Sequence, residues 1–547
     1  MGLSESVQTE IPAAERIEDI RDRLTRLLAQ LDSAFLERQT HTRLSLLSLL
    51  SGHHMLMLGP PGTAKSLLAR AACQCVRGGR YFEYLLSRFT HPDELFGPVS
   101  IPGLKEEDYR RLTDGYLPDA HVAFLDEIFK ANSAILNSLL TLINERVFHH
   151  GLHRDPVPLL ALIGASNESP DSESLAALYD RFLVRIAARP LAAQDSFLQV
   201  CLGEVPVFSP DPDDRLTLDD IAFVRAQARH VTAGPVVRAA LVRLRSALQE
   251  EEIPASDRRW RWAVELVKIA ALTSGRTEIS PVDLLLLQHC FGTPFDTDAR
   301  VQRRICREIV TAVHPIFDPQ YPRRATAALR KPVDKTASFS AVRAERLAVL
   351  ETLAERSASL KAVDMRHSPF LSEAAGATWL AEVPSEVFTA ILVSRNAVRE
   401  AMAPLSKAAD AYRPRLLGYD PVGTFFGAFA LQSQLQSVFL GNQPGRQTPL
   451  AWFEAPGSGQ AALLTRAGQL LTDVPPGGAD VPRLSIDADV LFDIGRPGDW
   501  RGAIRRWRAG GPALPAETEG VVVALLEQYR RSGAEPFPLM DDPEDEP

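Results

Sequence analysis

The sequence predicts an α/β fold: a parallel sheet with helices on both faces, followed by an all-α unit and a helical C-terminal region with a small mixed or β-rich module. Three observations predict it. From about residue 15 to 200, short apolar runs alternate with amphipathic stretches, as when crossover helices join parallel strands. The runs Met55–Leu58, Tyr81–Leu86, Val122–Leu125 and Leu159–Ala165 are nearly wholly apolar, as expected of strands covered on both faces. The first runs straight into Gly59-Pro60-Pro61-Gly62-Thr63-Ala64-Lys65-Ser66, a Gly/Pro-rich turn from strand to helix.

That turn has the composition of a phosphate cradle. Amides pointing into a loop, followed by a helix N-terminus, make a concave positive site, while Lys65 can reach β- and γ-phosphates and the Ser66 hydroxyl can ligate magnesium. Glycine usually precedes the lysine, and here Ala64 does. An alanine adds one methyl group and permits helical backbone angles, so the cradle is expected to survive. A plain strand-to-helix connection is the competing reading.

At 547 residues the chain is too long for one core, and its length suggests roughly three or four domains. Hydrophobic residues make up 45% and charged residues 24%, ordinary for a soluble protein, and the net charge of -9 gives no general reason to expect nucleic acid as partner. Cys73, Cys75, Cys201, Cys290 and Cys306 form no CxxC pair and read as reduced structural thiols of a cytosolic protein. The acidic start carries no secretory pattern and no apolar run reaches about 18 residues, so a cytoplasmic location is expected.

Domain boundaries follow from changes of pattern. Residues 10–205 read as the nucleotide-binding core. In 206–312, a helical lid, Trp260, Val264, Val267 and Ala271 keep helical spacing behind an N-cap at Ser256 or Asp257. Residues 313–337, with Pro315, Pro319 and Pro322 ahead of Arg323, Arg324, Arg330 and Lys331, read as a linker with a basic face. Residues 338–415 read as a helical hairpin arm. One helix is marked by Val342, Val349, Leu353 and Leu360, the other by Phe388, Ile391, Val398 and Met402, ending or kinking near Pro404. Residues 416–515, with apolar runs Leu484–Ile486 and Val490–Ile494, form the small module. Residues 516–540 hold a C-terminal helix over Gly520–Tyr529, and 541–547 are an acidic tail, solvated or a docking peptide.

The remaining chemistry gathers at strand ends. Val122–Leu125 delivers Asp126-Glu127 to the edge where ligands of open α/β sheets bind. Asp126 there would hold magnesium-bound waters, and Glu127 would polarise an attacking water as general base. After the next strand, Asn167 would orient the water and sense the γ-phosphate; a turn asparagine is the alternative. Arg181, at a helix end, would reach a neighbouring copy's nucleotide, against a local pairing with Asp180. Arg258, with Arg259 as close competitor, could return from the helical unit to the same phosphates.

The chain resembles the MoxR family of AAA+ ATPases, and within it the RavA branch. The likeness lies in Gly59–Ser66, Arg88-Phe89 through Glu94-Leu95-Phe96-Gly97-Pro98, Gly115-Tyr116-Leu117-Pro118, Phe124-Leu125-Asp126-Glu127-Ile128, Ile135-Leu136-Asn137 and Ile143-Asn144-Glu145-Arg146. It continues in Ser166-Asn167-Glu168, Ala177-Leu178-Tyr179-Asp180-Arg181 and Ser256-Asp257-Arg258-Arg259-Trp260. It covers roughly residues 10 to 310, and Ala64 is usual in that family. The resemblance implies ATP with Mg2+ held by Gly59, Pro60, Pro61, Gly62, Thr63, Ala64, Lys65, Ser66, Leu67 and Asp126. It implies a homo-oligomer, a hexameric ring with ATP between subunits, and inserted segments at about Val99–Asp114 and Val147–Pro158. It further implies an ATPase that acts like a chaperone on a partner, with a von Willebrand factor A domain protein as co-operator. A metabolic enzyme or membrane complex would be the client of the C-terminal arm.

Other readings compete. The ring could be an ATP-gated scaffold presenting its arm, with hydrolysis as a reset, or a DNA motor, against which the acidic balance counts. His149, His150 and His153 read as a polar hairpin tip rather than a metal site, for want of a partnering carboxylate or cysteine arrangement. Trp500, Arg501, Arg505, Arg506, Trp507 and Arg508 read as an amphipathic helix with snorkelling arginines rather than a nucleic-acid surface, and no nucleic acid is expected.

Overall fold

The computed structural model describes residues 13–106, 108–150, 153–168, 170, 173–203, 208–253, 255–292, 298–334, 336–362, 369–431, 448–472, 474, 480–496, 498–532 and 537–541. The first residues of the expected core domain and the acidic tail after Asp541 lie outside these. The chain divides into two compact units, residues 1–317 with 364–394, and residues 318–363 with 395–547.

In the first unit, helices α1 (Ala13–Ala34) and α2 (Gln39–Ser51) precede β1 (His54–Leu58), which is followed by α3 (Lys65–Gln74) and β2 (Tyr81–Leu85). Next come α4 (Pro92–Phe96), α5 (Ile101–Lys105), β3 (Val122–Asp126), α6 (Ser133–Glu145), β4 (Val147–His150), β5 (His153–Pro156) and β6 (Ala161–Ser166). Helix α7 (Glu173–Arg181) then leads directly into β7 (Phe182–Ala187). The sheet runs β2-β3-β6-β1-β7, every neighbouring pair parallel. Strands β1 and β6 are buried along their whole length, as their apolar sequences require, whereas edge strand β2 exposes Glu83 and Leu85. Leu56, Leu58, Leu125, Leu162 and Phe182 join Ile135, Leu139 and Leu142 of α6 in one core.

Strand β7 is absent from the sequence reading. No turn separates it from α7, and Arg185 interrupts its apolar run. That arginine is buried and donates to the carbonyls of Phe182, Tyr179 and Gly292, so tertiary partners satisfy a residue whose type argues against a buried strand.

The two inserted segments take local structure. Ser100 caps α5, and Val99 bridges Arg111. Strands β4 and β5 form the expected antiparallel hairpin. It leaves α6 through Arg146, whose backbone is left-handed (φ 54°) and whose guanidinium donates to the carbonyls of Leu159 and Gly52, both at 2.6 Å.

After α8 (Gln194–Leu202) comes the helical lid of α9 (Leu218–Ala228), α10 (Pro235–Glu250), α11 (Asp257–Thr273), a 3-10 helix at Pro281–His289 and α12 (Asp298–Val313). Ser256 is the N-cap of α11, its side chain accepting from Arg259 N at 3.2 Å. The lid also carries strands β8 (Thr232–Ala233) and β9 (Glu278–Ile279), a parallel pair too short to leave a periodicity in the sequence. Residues 364–394, expected in the arm, belong to this unit. Trp379 Nε1, just after α15 (Pro369–Ala375), donates to Thr273 Oγ1 at 2.9 Å, and Arg276 pairs with Glu373 at 3.1 Å.

In the second unit, part of the expected linker is helix α13 (Tyr321–Arg330), which buries Pro322, Ala325 and Leu329 at helical spacing. Helix α14 (Phe339–Ala362) follows. Helix α16 (Ser385–Gly418), which begins in the first unit, runs on through Pro404 and Pro414, so of the expected end or kink near Pro404 the end does not occur. Buried Val398, Met402, Leu405, Ala409, Tyr412 and Leu416 continue one apolar stripe, and burying them outweighs the roughly 3 kcal/mol that each interior proline costs.

The small module is mixed. Its sheet runs β10 (Ala430–Leu431), β13 (Leu470–Leu471), β12 (Gln460–Thr465), β11 (Pro449–Ala455) and β14 (Arg483–Ser485), with antiparallel and parallel pairs. Its core also takes side chains from α17 (Pro421–Phe429) and from helices at Ala488–Gly495, Trp500–Ala509 and Ala516–Arg531. Of the two apolar runs, Leu484–Ile486 begins within β14 and Val490–Ile494 is helical, Asp487 capping it by accepting from Val490 N at 2.9 Å. Helix Trp500–Ala509 is amphipathic as read. Trp507 Nε1 donates to Ser485 O, and Arg501 and Arg508 lie over Trp500 and Trp507.

Candidate active site

The loop Gly59–Ser66 leaves the C-terminal end of β1, with β6 on one side and β7 on the other. Gly59 N donates to Ser166 O at 2.9 Å, and a Cβ at Gly59 would lie 2.0 Å from Ala188 O, so only glycine fits against the residue after β7. Gly62 has φ 80°. Thr63 Oγ1 closes the turn on Pro60 O at 3.0 Å, and Arg38 ties the loop down, its Nε 3.4 Å from Thr63 O and its Nη2 2.7 Å from Arg189 O. Arg38 was missed in the sequence reading, where nothing distinguishes it from other arginines ahead of a helix.

Ala64 corrects an expectation. It is left-handed, φ 65° and ψ 22°, rather than helical. Glycine's usual place before the lysine is thereby explained, and alanine sits there at a cost of about 1 kcal/mol. No side chain caps α3, which leaves its first amides directed at the loop. Lys65 Nζ donates to the carbonyls of Gly59 and Pro60, each at 2.8 Å. Burial lowers the ammonium pKa, and the charges of Asp126 and Glu127 oppose that shift. Ser66 is half-buried and Leu67 exposed.

Strand order sets the rest. Strand β6 lies between β1 and β3, so Asn167 emerges between the loop and Asp126-Glu127. Asp126 Oδ1 accepts from Glu127 N at 2.9 Å. Glu127 is itself left-handed (φ 52°, ψ 43°), a strained backbone for a non-glycine residue, with Oε2 3.3 Å from Lys130 Nζ. Asn167 is exposed.

The arginines form a second group. Arg181, the last residue of α7, is 17% exposed, with Nη1 3.5 Å from Asp180 Oδ2; Arg258 Nη2 lies 3.4 Å from the same oxygen and is 47% exposed. The local pairing weighed for Arg181 thus exists, but it is shared. Arg259 separates itself from Arg258 by burial. Only 3% exposed, it donates to the carbonyls of Cys290, Asp180, Phe182 and Leu183. Lys65 faces Asp126 and Glu127, whereas Arg258 faces Asp180 and Arg181.

Elsewhere, His153 Nε2 meets Asp108 Oδ1 at 2.7 Å and His149 lies 3.8 Å from Glu145. Among the described residues no group of histidine, cysteine and carboxylate side chains could hold a metal ion, and no helix is long and apolar enough to cross a membrane. Cys73, Cys75, Cys290 and Cys306 are buried and their thiols pushed up to about 12, while Cys201 is exposed.

A parallel sheet bearing this loop, a carboxylate strand end and a helical lid defines an AAA+ type nucleotide-binding fold. Residues 22–203 match the MoxR domain of MoxR-vWA-beta-propeller ternary systems, and residues 237–305 match an AAA lid domain. Two uncharacterized proteins of Methanocaldococcus jannaschii are 39% identical over 281 residues and 40% over 283. Those alignments take in 51% and 52% of this chain and 73% and 74% of the relatives. A crystal structure from Cytophaga hutchinsonii aligns with TM-score 0.44 and 16% identity, over 54% of this chain and 96% of that one. The chain belongs to the MoxR family of AAA+ ATPases.

Proposed function

We propose that the chain hydrolyses ATP at a site shared between two copies in a ring, a hexamer by its family likeness. The observation that carries this reading is the division of charge into two incomplete halves. One half holds Lys65 with two carboxylates at the sheet edge. The other holds Arg181 and Arg258 against the single carboxylate of Asp180, a surplus of one positive charge on a partly exposed surface. A triphosphate bound by the first half of one copy supplies the anion that the second half of its neighbour lacks.

The loop fits the triphosphate: its amides and the uncapped start of α3 receive the phosphates, and Lys65 exchanges its two carbonyl partners for β- and γ-oxygens. Ser66 and, through water, Asp126 would hold Mg2+, which would neutralise phosphate charge. Glu127 takes a proton from the attacking water, and Asn167 orients that water. Arg181 stabilises charge on the transferring phosphoryl group in the neighbouring copy, with Arg258 beside it. Replacing Glu127 by Gln should leave ATP affinity within about twofold and lower turnover at least about 100-fold. Unchanged turnover refutes Glu127 as base.

The match to a MoxR domain of MoxR-vWA-beta-propeller ternary systems supports a von Willebrand factor A partner, and chaperone-like remodelling of a client is the activity we propose beside it. The second unit, which has a core of its own, favours the alternative of an ATP-gated scaffold presenting that unit, and is the feature that supports the RavA branch. Truncation after residue 330 would confuse the two, because it removes Trp379 from Thr273. Cellular complementation by the Glu127→Gln variant separates them: loss of function supports remodelling, and full function supports the scaffold.

A further inference from the structure

We propose that Asp180 is a positioning residue that holds Arg181 and Arg258 together as one phosphate receptor, so that core and lid act on the nucleotide as a unit. This rests on the reading above, in which both arginines meet the transferring phosphoryl group.

The two arginines come from different elements, Arg181 from the end of α7 and Arg258 from the start of α11 in the lid. Their like charges repel, and without an anion between them they would separate. Asp180 Oδ2 supplies that anion at 3.5 and 3.4 Å, and its Oδ1 lies 3.6 Å from Arg259 Nη1. Arg259 also donates to the Asp180 carbonyl at 3.1 Å, which fixes the backbone from which the carboxylate projects. Arg258 is further restrained over the Trp262 ring, 5.2 Å from its centroid.

All three carboxylate distances exceed the roughly 2.7–2.9 Å of a closed charge-assisted hydrogen bond. One carboxylate shared loosely between Arg181 and Arg258 aligns them while engaging one nitrogen of each. Arg181 Nε, moreover, is buried with no hydrogen-bond partner. The same carboxylate limits how far the lid arginine can drift from the core arginine when a nucleotide arrives.

The test is a double-mutant cycle in the full-length chain, reading kcat and KM for ATP, ATP affinity and Tm. Asp180→Asn should lower kcat about tenfold, with ATP affinity within about twofold and Tm unchanged, and Asp180→Glu should recover most of the loss. In the Arg258→Ala background, Asp180→Asn should cost less than about twofold more. An equal loss in both backgrounds overturns the proposal, as does a loss that merely follows a lowered Tm. If Arg181→Ala and Arg258→Ala each leave kcat unchanged, the shared-site reading fails with it. If they lower kcat while Asp180→Asn acts independently, only the role of Asp180 fails.

Discussion

Arg258 and Arg259 are adjacent and identical in type, yet the structure predicts opposite consequences of removing them. Arg259 is 3% exposed and its guanidinium satisfies four carbonyls: Cys290 at 2.6 Å, Leu183 at 2.9 Å, and Asp180 and Phe182 at 3.1 Å each. Those carbonyls belong to the end of α7, to β7 and to the segment after the Pro281–His289 helix, so one side chain of the lid is fastened to the core. Arg259→Ala removes the guanidinium from four carbonyls, of which Phe182 O keeps Arg185 Nε as a donor, and opens a void. From losses of roughly 1–3 kcal/mol per buried unsatisfied group, discounted for water entry and for desolvation of the charge, about 3–5 kcal/mol of stability should disappear. A unit of this size has an unfolding entropy near 0.7 kcal/mol/K, from about 2 cal/mol/K per residue, which makes the expected fall in Tm about 4–7 °C. Arg258 is half-exposed, and among the described residues it pairs with Asp180 and lies over the Trp262 ring, so Arg258→Ala should move Tm by less than about 2 °C. Differential scanning calorimetry of the two variants decides. Equal shifts, or an Arg259→Ala shift under about 2 °C, refute the assignment of Arg259 to structure and Arg258 to chemistry.

Three further outcomes follow from the geometry. Ala64→Gly should not lower stability, because relief of the left-handed strain offsets the entropy that glycine adds to the unfolded chain, whereas Ala64→Val should cost about 2 kcal/mol or more; urea denaturation reads both. Gly59→Ala should abolish ATP binding by calorimetric titration, since its methyl would meet Ala188 O at 2.0 Å and push the loop off the end of β1. Stability should also fall in acid. Burial holds His41 down to about 4 and His53 to about 3, the latter with nearby Arg146 and Arg225 outweighing Glu265 at 3.7 Å. Both folded values lie below the unfolded 6.5, so as pH falls through 6.5 the unfolded chain takes up protons that the folded chain refuses. Each histidine should then withdraw about 2 kcal/mol between pH 7 and 5, read as a falling urea midpoint that His53→Gln makes shallower.

Sequence by itself determined much of the first unit. Short apolar runs have one stable use when amphipathic helices flank them, so the four strands at β1, β2, β3 and β6 and their helices were legible. So were the loop and the carboxylates at strand ends, because their chemistry is carried by contiguous residues. The small module and the amphipathic helix at Trp500 were readable for the same local reason.

Tertiary structure decided what depends on partners distant in the chain. Strand β7 exists because Arg185 finds carbonyls at Tyr179, Phe182 and Gly292, and α16 continues past Pro404 because one buried stripe outweighs local propensity. The backbone signs of Ala64 and Glu127 are set by the loop and strand end that hold them. Nothing in the pair Arg258-Arg259 distinguishes one arginine from the other. A helix turns successive residues by about 100°, so one guanidinium entered the core to satisfy four carbonyls and its neighbour was left at the surface beside Asp180 and Arg181.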